Sequence, residues 1–381
     1  MSKSTLPPMT IWAHSSCRST LATYQAFGAI YPFECEIVMC GQVNPELRAR
    51  AGFLSEEFAE MNFVAVEPSI NEAMALLEAR SERLHMFTAY HGSDLFRALL
   101  DYATAGKMNF FVAAEAPQNM ERTMLRRIAK EIYIPTLLRR QVKQSIAQAQ
   151  FFVCYSGIAH QRLKQVGWPK EKIEDFGYYP PSLQSARPDR DLPARPDAQR
   201  GNPIQFLASG THCRHKSPKT LVDAVEILVN RGLGDRFRCT LAGNGVQSET
   251  MKEKVDRLGL PVTFPGFVSL EELMALYRTS DVFVGTGTDE PWGIRINDAI
   301  QMGCPSIVST GMGAVVEVEK AGLGWSYQSG SAIKLAKIMQ FLIENPSDLQ
   351  KVNCLLSTDN SLSPTTQAQR LLNIVEQRLL G

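Results

Sequence analysis

The amino-acid sequence predicts an α/β protein made of two similar domains, each built around a parallel sheet. Short apolar runs alternate with helix-length segments along most of the chain, which is typical of β/α/β units. This alternation stops at a segment without hydrophobic periodicity and then begins again. The chain has 381 residues, of which 44% are hydrophobic. That is enough for two domains with separate cores.

Composition and charge exclude several classes of protein. The sequence has 40 basic and 39 acidic residues, so no global charge draws it to nucleic acid. The eight cysteines are scattered, mostly in apolar runs, without a CxxC pair, which favours buried thiols in a reducing compartment. The sequence contains neither a signal-like apolar region at its N-terminus nor a run of about 18 apolar residues. We therefore expect a cytoplasmic protein.

The first domain is predicted over residues 1–180. Its apolar runs lack polar alternation, as in parallel strands covered on both faces. Strands are expected at residues 9–14, 35–40, 63–66, 84–90, 110–114 and 151–155, and helices at residues 19–31, 70–83, 94–105 and 157–166. Parallel strands place binding loops at their carboxyl ends, and these are residues 14–19, 91–94 and 115–119. We expect these loops to form one wall of a cleft.

Residues 118–147 are strongly basic, with seven basic and two acidic side chains and hence a net charge of +5. The basic residues are Arg122, Arg126, Arg127, Lys130, Arg139, Arg140 and Lys143. The pattern is helical, and Pro135 predicts two helices rather than one. Interleaved apolar residues favour peripheral contact of residues 121–144 with anionic lipid at the inner face of a membrane. The alternative is a solvated helix whose apolar residues face the domain core.

Residues 181–203 are rich in Pro, Arg, Asp and Ala and are predicted to link the domains. The second domain is expected over residues 204–364, because the same pattern repeats there. Its strands are predicted at 204–208, 238–242, 262–264, 281–284 and 306–309, and its helices at 218–230, 248–258, 271–279, 294–302 and 331–345. An amphipathic terminal helix over residues 365–381 can cross back to the first domain.

The most informative stretch is residues 285–313. A loop rich in Gly, Thr and Asp follows an apolar strand, and a helix begins near Gly293. The unpaired amides and the positive dipole end of that helix would point into the loop, where a phosphate can be held next to Glu290. The helix stops before Gly303, and Pro305 opens the next strand. The stretch is therefore predicted to be an anion-binding β/α/β unit.

The pattern EPWGIRINDAIQMGCPSIVST in this stretch resembles the signature of the retaining GT-B glycosyltransferases of family 4. In that family, Glu and a second acid with seven residues between them precede a G-x-P-V/I-x-S turn. Three other features precede this pattern in the family's order. They are the G-x-G at Gly243 to Gly245, the segment 262–268 and the helix 271–279. The resemblance covers most of residues 204–330. It implies two Rossmann-like domains that face an interdomain cleft, with a nucleotide-sugar donor held mainly by the second.

The resemblance implies a role for each residue of the signature. Glu290 matches the acid that contacts donor sugar hydroxyls, and the amides of Gly293 and Ile294 match those that bind the diphosphate. Asp298 matches the acid that binds the ribose hydroxyls, where the family usually has the longer Glu, so we expect a weaker or water-bridged contact. The other predicted donor-binding residues are Pro291, Trp292, Gly210, Gly243, Asn244 and Gly245.

The loop 210–216 is similar to the family's G-R-x-x-x-x-K turn, with Thr211 in place of the usual Arg. Lys216 matches the family's lysine, and Arg214 can replace the missing arginine. Cations here would stabilise the charge that develops on the leaving diphosphate. Outside this context, a lone Arg in a loop is usually solvated surface.

In the first domain, His91 follows one predicted strand and Glu115 ends another. Relatives often carry a catalytic His near the end of the latter strand, so the resemblance implies that Glu115 or His91 contacts the acceptor or the transferred sugar. The alternatives are a capped helix for residues 91–94 and a buried, hydrogen-bonded acid for Glu115.

Two other kinds of site are disfavoured. A zinc site at His212, Cys213 and His215 would lack a second ligand pair, and the resemblance is to metal-independent enzymes. A hydrolase with paired carboxylates is disfavoured because eight residues along a helix span about 12 Å.

The expected function is retaining transfer of a sugar, hexosyl or related, from a nucleotide-diphosphate sugar to a hydroxyl acceptor. The acceptor is a glycan, a lipid-linked saccharide or a small molecule, and no metal or other cofactor is expected. A sugar-nucleotide epimerase of the same fold and a non-catalytic nucleotide-sugar-binding protein are the alternatives.

Overall fold

The computed structural model describes residues 6–14, 18–41, 63–90, 93–115, 124–181, 203–357 and 359–381. The chain divides into two compact units. The first unit consists of Met1–Pro180 together with Ser363–Gly381, and the second of Pro181–Leu362.

The first unit contains a seven-stranded sheet in the order β3-β2-β1-β4-β5-β6-β7. Its strands are β1 Met9–Ala13, β2 Cys35–Met39, β3 Phe63–Val66, β4 Leu84–Phe87, β5 Phe110–Ala114, β6 Phe152–Cys154 and β7 Ile173–Asp175. Each neighbouring pair is parallel, and β1, β4 and β5 are buried along their whole length, as the continuous apolar runs predict. The short β7 was not predicted, because the sequence IED has little apolar content.

The helices of this unit are α1 Arg18–Ile30, α2 Ile70–Glu78, α3 Asp94–Ala105, α4 Met124–Gln144 and α5 Gly157–Gln165. The prediction of two helices around Pro135 is wrong, because α4 is a single helix that contains this proline. Ile134 and Leu138 are both buried and lie one turn apart on the same face. Packing of that face holds the helix together although the proline cannot donate its backbone hydrogen bond.

The chain ends in α13, Pro364–Leu380, which packs against α1 within the first unit. The Arg370 guanidinium donates to the carbonyl oxygen of Asp175 at 2.8 Å and lies over the ring of Phe176. Arg378 forms an ion pair with Glu174. The terminal helix therefore crosses back, as the sequence allows.

The second unit contains a six-stranded sheet in the order β10-β9-β8-β11-β12-β13, again with parallel neighbours. Its strands are β8 Ile204–Ser209, β9 Phe237–Ala242, β10 Val262–Gly266, β11 Val282–Gly285, β12 Ser306–Ser309 and β13 Gly324–Tyr327. Its helices are α6 Lys219–Asn230, α7 Ser248–Leu258, α8 Leu270–Thr279, α9 Ile294–Gln301, α10 Val315–Ala321, α11 Ala332–Glu344 and α12 Pro346–Leu356. The parallel α/β class is confirmed in both units.

Within these described ranges, no helix combines the length and the apolar character needed to cross a membrane.

Candidate active site

The candidate site lies at the carboxyl edge of the second sheet, where parallel sheets place their ligands. Four loops meet there, and they follow β8, β9, β11 and β12. They are residues 210–218, 243–247, 286–293 and 310–314.

Helix α9 begins where the signature predicts. Its N-cap is Gly293, whose φ of +96° lies in the left-handed region that favours glycine. A Cβ at this position would also lie 2.3 Å from Cε of Met312. The glycine therefore allows the loop to turn directly into the helix. The first amides of α9 lack helical acceptors, which gives this end of the helix a positive electrostatic character.

Glu290 is held in place by its backbone. Its amide donates to the carbonyl oxygen of Gly311 at 2.9 Å, and its own carbonyl accepts from the amide of Gly313 at 3.1 Å. A Cβ on Gly313 would lie 1.8 Å from the carbonyl oxygen of Pro291, so a larger residue cannot replace this glycine without a shift. The loop 310–314 thus holds Glu290 in place just before α9.

The Lys216 ammonium forms an ion pair with the Glu290 carboxylate. The lysine loop is bound to the loop after β11 by two threonines. Thr286 Oγ1 donates to the Lys216 carbonyl at 2.7 Å, and the Thr288 amide donates to the His215 carbonyl at 2.8 Å. Sequence reasoning missed both threonines, although the repeated GTGT pattern could have drawn attention to them. These bonds bring the predicted Lys216 and Glu290 together.

Three predicted glycines allow the loops after β8 and β9 to approach each other. Gly243 has a φ of +121°, and a Cβ there would lie 1.9 Å from the Gly210 carbonyl oxygen. A Cβ on Gly245 would lie 2.4 Å from the carbonyl oxygen of His212. Asn244, which lies between these two glycines, is exposed. Its backbone carbonyl accepts a hydrogen bond from the His212 amide at 3.0 Å. Arg214 is exposed on the facing loop.

His212 is an internal part of this arrangement. Its side chain is buried, with Nδ1 2.8 Å from Ser248 Oγ, and that hydroxyl accepts the Gly245 amide at 2.9 Å. Burial lowers the pKa of His212. Among the residues the structure describes, no group of three or more His, Cys, Asp or Glu side chains could hold a metal ion. His212 therefore contributes to the shape of the glycine loop.

Asp298 is buried on α9, and Arg295 Nη1 donates to its Oδ2 at 3.0 Å. The Tyr277 hydroxyl donates to the Arg295 carbonyl at 3.4 Å. Burial, together with the nearby Asp298, raises the pKa of Tyr277 above its usual range, so this hydroxyl remains a donor. Sequence reasoning missed Arg295, although an acid three residues after a base on a helix is a recognisable signal. Glu290 and Asp298 thus each have a different cationic partner.

Trp292 is also buried, and its Nε1 donates to Oδ1 of Asn297 at 2.8 Å. Its carbonyl accepts the Ala314 amide at 3.0 Å. The indole therefore fixes the start of α9 from within the core.

In the first unit, Glu115 directly follows β5 and is half-buried. His91 lies outside the described residues.

Residues 192–353 match the family model for glycosyl transferases group 1. A mannosylfructose-phosphate synthase of Agrobacterium fabrum is 32% identical over 111 residues, which is 27% of this chain and 24% of that protein. An uncharacterised glycosyltransferase of Methanocaldococcus jannaschii is 33% identical over 85 residues, or 22% of each protein. These alignments thus span about a quarter of the length of the curated relatives.

Solved structures show that the likeness of fold extends over both units. HepE of Anabaena in complex with UDP matches with a TM-score of 0.65 and 15% identity, covering 97% of this chain and 100% of that chain. The apo form of the lipopolysaccharide outer core galactosyltransferase WaaB matches with a TM-score of 0.67 and 13% identity, covering 97% and 99%. The predicted GT-B architecture with two Rossmann-like domains is confirmed. Residues 192–353 of this chain are similar to the glycosyl transferases group 1 family.

Proposed function

We propose that this protein is a retaining glycosyltransferase that moves a sugar from a nucleotide-diphosphate sugar to a hydroxyl acceptor. The observation that carries the proposal is the Lys216–Glu290 ion pair in front of the N-terminus of α9. An acid, a cation and a set of free helix amides then lie at one sheet edge, where a sugar diphosphate requires all three.

Each part of this site has a chemical task in the proposed reaction. The amides of Gly293 and Ile294 bind the diphosphate, and Glu290 binds hydroxyls of the donor sugar. Cleavage of the sugar–phosphate bond builds negative charge on the leaving oxygens, and Lys216 stabilises this charge more strongly than it stabilises the ground state. HepE has been crystallised with UDP and with UDP-glucose, and this supports a nucleotide sugar as the donor.

We further propose that the reaction needs no metal ion. Lys216, Arg214 and the positive end of α9 supply the charge that a metal would otherwise provide on the diphosphate. Glu115 and His91 are proposed to contact the acceptor or the transferred sugar from the first unit. Turnover that is unchanged by EDTA would support this proposal, and restoration of lost activity by Mg²⁺ or Mn²⁺ would contradict it.

A thermal-shift screen with UDP-, GDP- and ADP-sugars, followed by NMR analysis of products, tests the proposed function. A ligand that binds the folded state alone raises its stability by about 2.7 kcal/mol at a concentration of one hundred times Kd. We expect one nucleotide class to raise the melting temperature and its sugar to be transferred with the same anomeric configuration. Conversion of the donor to an epimer without an acceptor would instead identify a sugar-nucleotide epimerase.

The second candidate is a nucleotide-sugar-binding protein without catalytic activity. Thr211 stands where the similar turn of the family has Arg, so the loop carries one cation fewer to stabilise a leaving diphosphate. Asp298 is also shorter than the usual glutamate and is paired with Arg295. Tight donor binding without turnover over a broad acceptor panel would identify this second function.

The assignment of Asp298 to the ribose predicts the effects of two substitutions. Asp298→Glu restores the usual length of the acid, so we expect an equal or higher donor affinity by calorimetry. Asp298→Asn removes the charge but keeps a side chain of similar volume. It should weaken donor binding about tenfold, because that factor corresponds to the loss of one charge-assisted hydrogen bond. A large loss of affinity in Asp298→Glu, with the fold intact, would contradict the assignment.

We also propose that the protein is cytoplasmic and that α4 brings it to the inner face of a membrane rich in anionic lipid. Its first half exposes Leu125, Ile128 and Ile132, which are spaced three and four residues apart and therefore lie on one face. Arg139 and Arg140 are exposed in the second half of the same helix. Apolar insertion combined with basic charge suits the surface of an anionic bilayer.

Liposome sedimentation tests this contact. Wild-type protein should sediment with phosphatidylserine-rich vesicles at low salt and remain in solution at high salt. Ile132→Glu should reduce the bound fraction severalfold, because it places a charge on the inserted face. The matched control is Ile333→Glu on α11, since Ile333 is 66% exposed and Ile132 is 71% exposed. Equal binding of both variants and the wild type would contradict the proposal.

A further inference from the structure

We propose that Cys213 is a peroxide-reactive modification site, activated by His215, whose oxidation releases Lys216 from Glu290. This inference deepens the proposed function, since it adds a means of regulating the same site. It rests on three structural features: a thiol–imidazole contact, the accessibility of that contact, and the bonds that join its loop to the site.

Cys213 and His215 form a close side-chain pair on the loop after β8. The sulfur of Cys213 lies 3.4 Å from Nδ1 of His215 and 3.7 Å from its Nε2. The nearly equal distances place the sulfur over the imidazole ring, and a rotation of the ring brings a nitrogen into line to take the thiol proton as the sulfur reacts. Both side chains are partly exposed, so small reagents can reach them.

Most other cysteines in the described part of the chain are protected by their surroundings. Cys154, Cys239 and Cys304 are buried. Burial raises the pKa of Cys35 to about 12 and that of Cys40 to about 12, which keeps both as thiols at neutral pH. Cys354 on α12 is exposed and provides an internal reference for solvent access.

The loop that carries Cys213 is bound directly to the candidate site. The Cys213 carbonyl accepts the Ser217 amide at 2.9 Å, so residues 213–217 form a single turn. In the same turn, the His215 carbonyl accepts from the Thr288 amide and the Lys216 carbonyl accepts from the Thr286 hydroxyl. Additional atoms on the sulfur would displace the imidazole and the turn with it. The Lys216 ammonium would then leave Glu290.

The chemical step needs only a peroxide as oxidant. The Cys213 sulfur attacks one oxygen of hydrogen peroxide as its proton passes to His215, an S–O bond forms and the O–O bond breaks. Sulfur loses two electrons and becomes a sulfenic acid. The departing hydroxide takes the proton held by His215 and leaves as water. Two equivalents of a reducing thiol restore the starting state: the first forms a mixed disulfide with Cys213 and releases water, and the second releases the Cys213 thiol as a small-molecule disulfide forms.

Dimedone trapping of sulfenic acid, read by peptide mass spectrometry on the full chain, tests the first part of the proposal. At a low peroxide concentration, Cys213 should be labelled about tenfold faster than Cys354, since only Cys213 has an imidazole beside it to take the thiol proton as the sulfur reacts. His215→Gln should bring the Cys213 rate down to that of Cys354, and circular dichroism with the melting temperature verifies its fold. Equal labelling of both cysteines in the wild type, or an unchanged Cys213 rate in His215→Gln, would overturn the proposal.

Acetylation of lysines tests the second part without a donor. After peroxide treatment, Lys216 should react severalfold faster, since an ion pair no longer holds its ammonium. Lys351, paired with Asp348 on α12, should not change. Cys213→Ser should abolish the difference, and unaltered Lys216 reactivity in the oxidised wild type would overturn the coupling. Failure to bind any nucleotide sugar would contradict the proposed function alone, because neither readout uses a donor.

Discussion

Glu290→Gln is expected to lower the rate of sugar transfer by about a hundredfold or more, the usual cost of removing one preorganised electrostatic group. The substitution preserves the shape of the side chain. The backbone bonds of Glu290 to Gly311 and Gly313 do not involve the carboxylate, so the loop should remain in place. What is lost is the charge that pairs with Lys216 and that, in the proposed function, binds the sugar hydroxyls. Melting temperatures should therefore change little while turnover collapses.

A substitution of Lys216, the other member of the ion pair, complements this experiment. Lys216→Met should reduce turnover to a similar extent, because it removes the cation that we propose stabilises the leaving diphosphate. In the double variant the two losses should not add, since both residues act through one ion pair. Lys351→Met removes an exposed ion-paired lysine on α12 and serves as the control. Turnover within threefold of wild type in both Glu290→Gln and Lys216→Met would show that the pair is not catalytic.

Gly243→Ala is expected to disrupt the donor loop. The new Cβ would lie 1.9 Å from the carbonyl oxygen of Gly210, which is a backbone atom and cannot rotate away. The φ of +121° adds strain for any residue with a side chain. We expect a loss of stability of about 3 kcal/mol or more and a loss of nucleotide binding, because strain and overpacking add.

The control is a glycine that shares the strain but lacks the steric contact. Gly259 at the end of α7 has a φ of +58°, and a Cβ there would meet no atom within 4 Å. Gly259→Ala should cost only about 1 kcal/mol and leave nucleotide binding unchanged. Denaturant unfolding and calorimetry of both variants measure the difference. If Gly243→Ala is no worse than Gly259→Ala, the close approach of the two loops is not important.

Much of the fold could be predicted because burial on both faces leaves a clear trace in the sequence. The strands Phe63–Val66, Phe110–Ala114 and Ser306–Ser309 and the helix Asp94–Ala105 have the predicted bounds. Elements with weak apolar patterns were missed, such as β7 with its sequence IED and β13 with GWSY. The single helix through Pro135 was also missed. Its continuity comes from tertiary packing of Ile134 and Leu138 rather than from local preference.

For the candidate site, the sequence predicted a set of residues but not the partners that the structure gives them. The spacing of Glu290, Gly293 and Asp298 pointed to the start of α9, and the structure places all three there. The Lys216–Glu290 pair joins residues that are 74 positions apart, and the threonine bonds that align it depend on the sheet order. The Arg295–Asp298 pair is local, yet its effect on a ribose contact depends on burial by surrounding elements.

The central claim is that the Lys216–Glu290 site at the start of α9 binds a nucleotide-diphosphate sugar and cleaves it with retention. Time-resolved NMR of slow donor hydrolysis tests this directly, because water replaces the unknown acceptor. The wild-type protein should release, as the first product, a free sugar with the anomeric configuration of the donor, and Glu290→Gln should release none. An inverted first product, or neither binding nor hydrolysis of any nucleotide sugar in a broad panel, would contradict the claim.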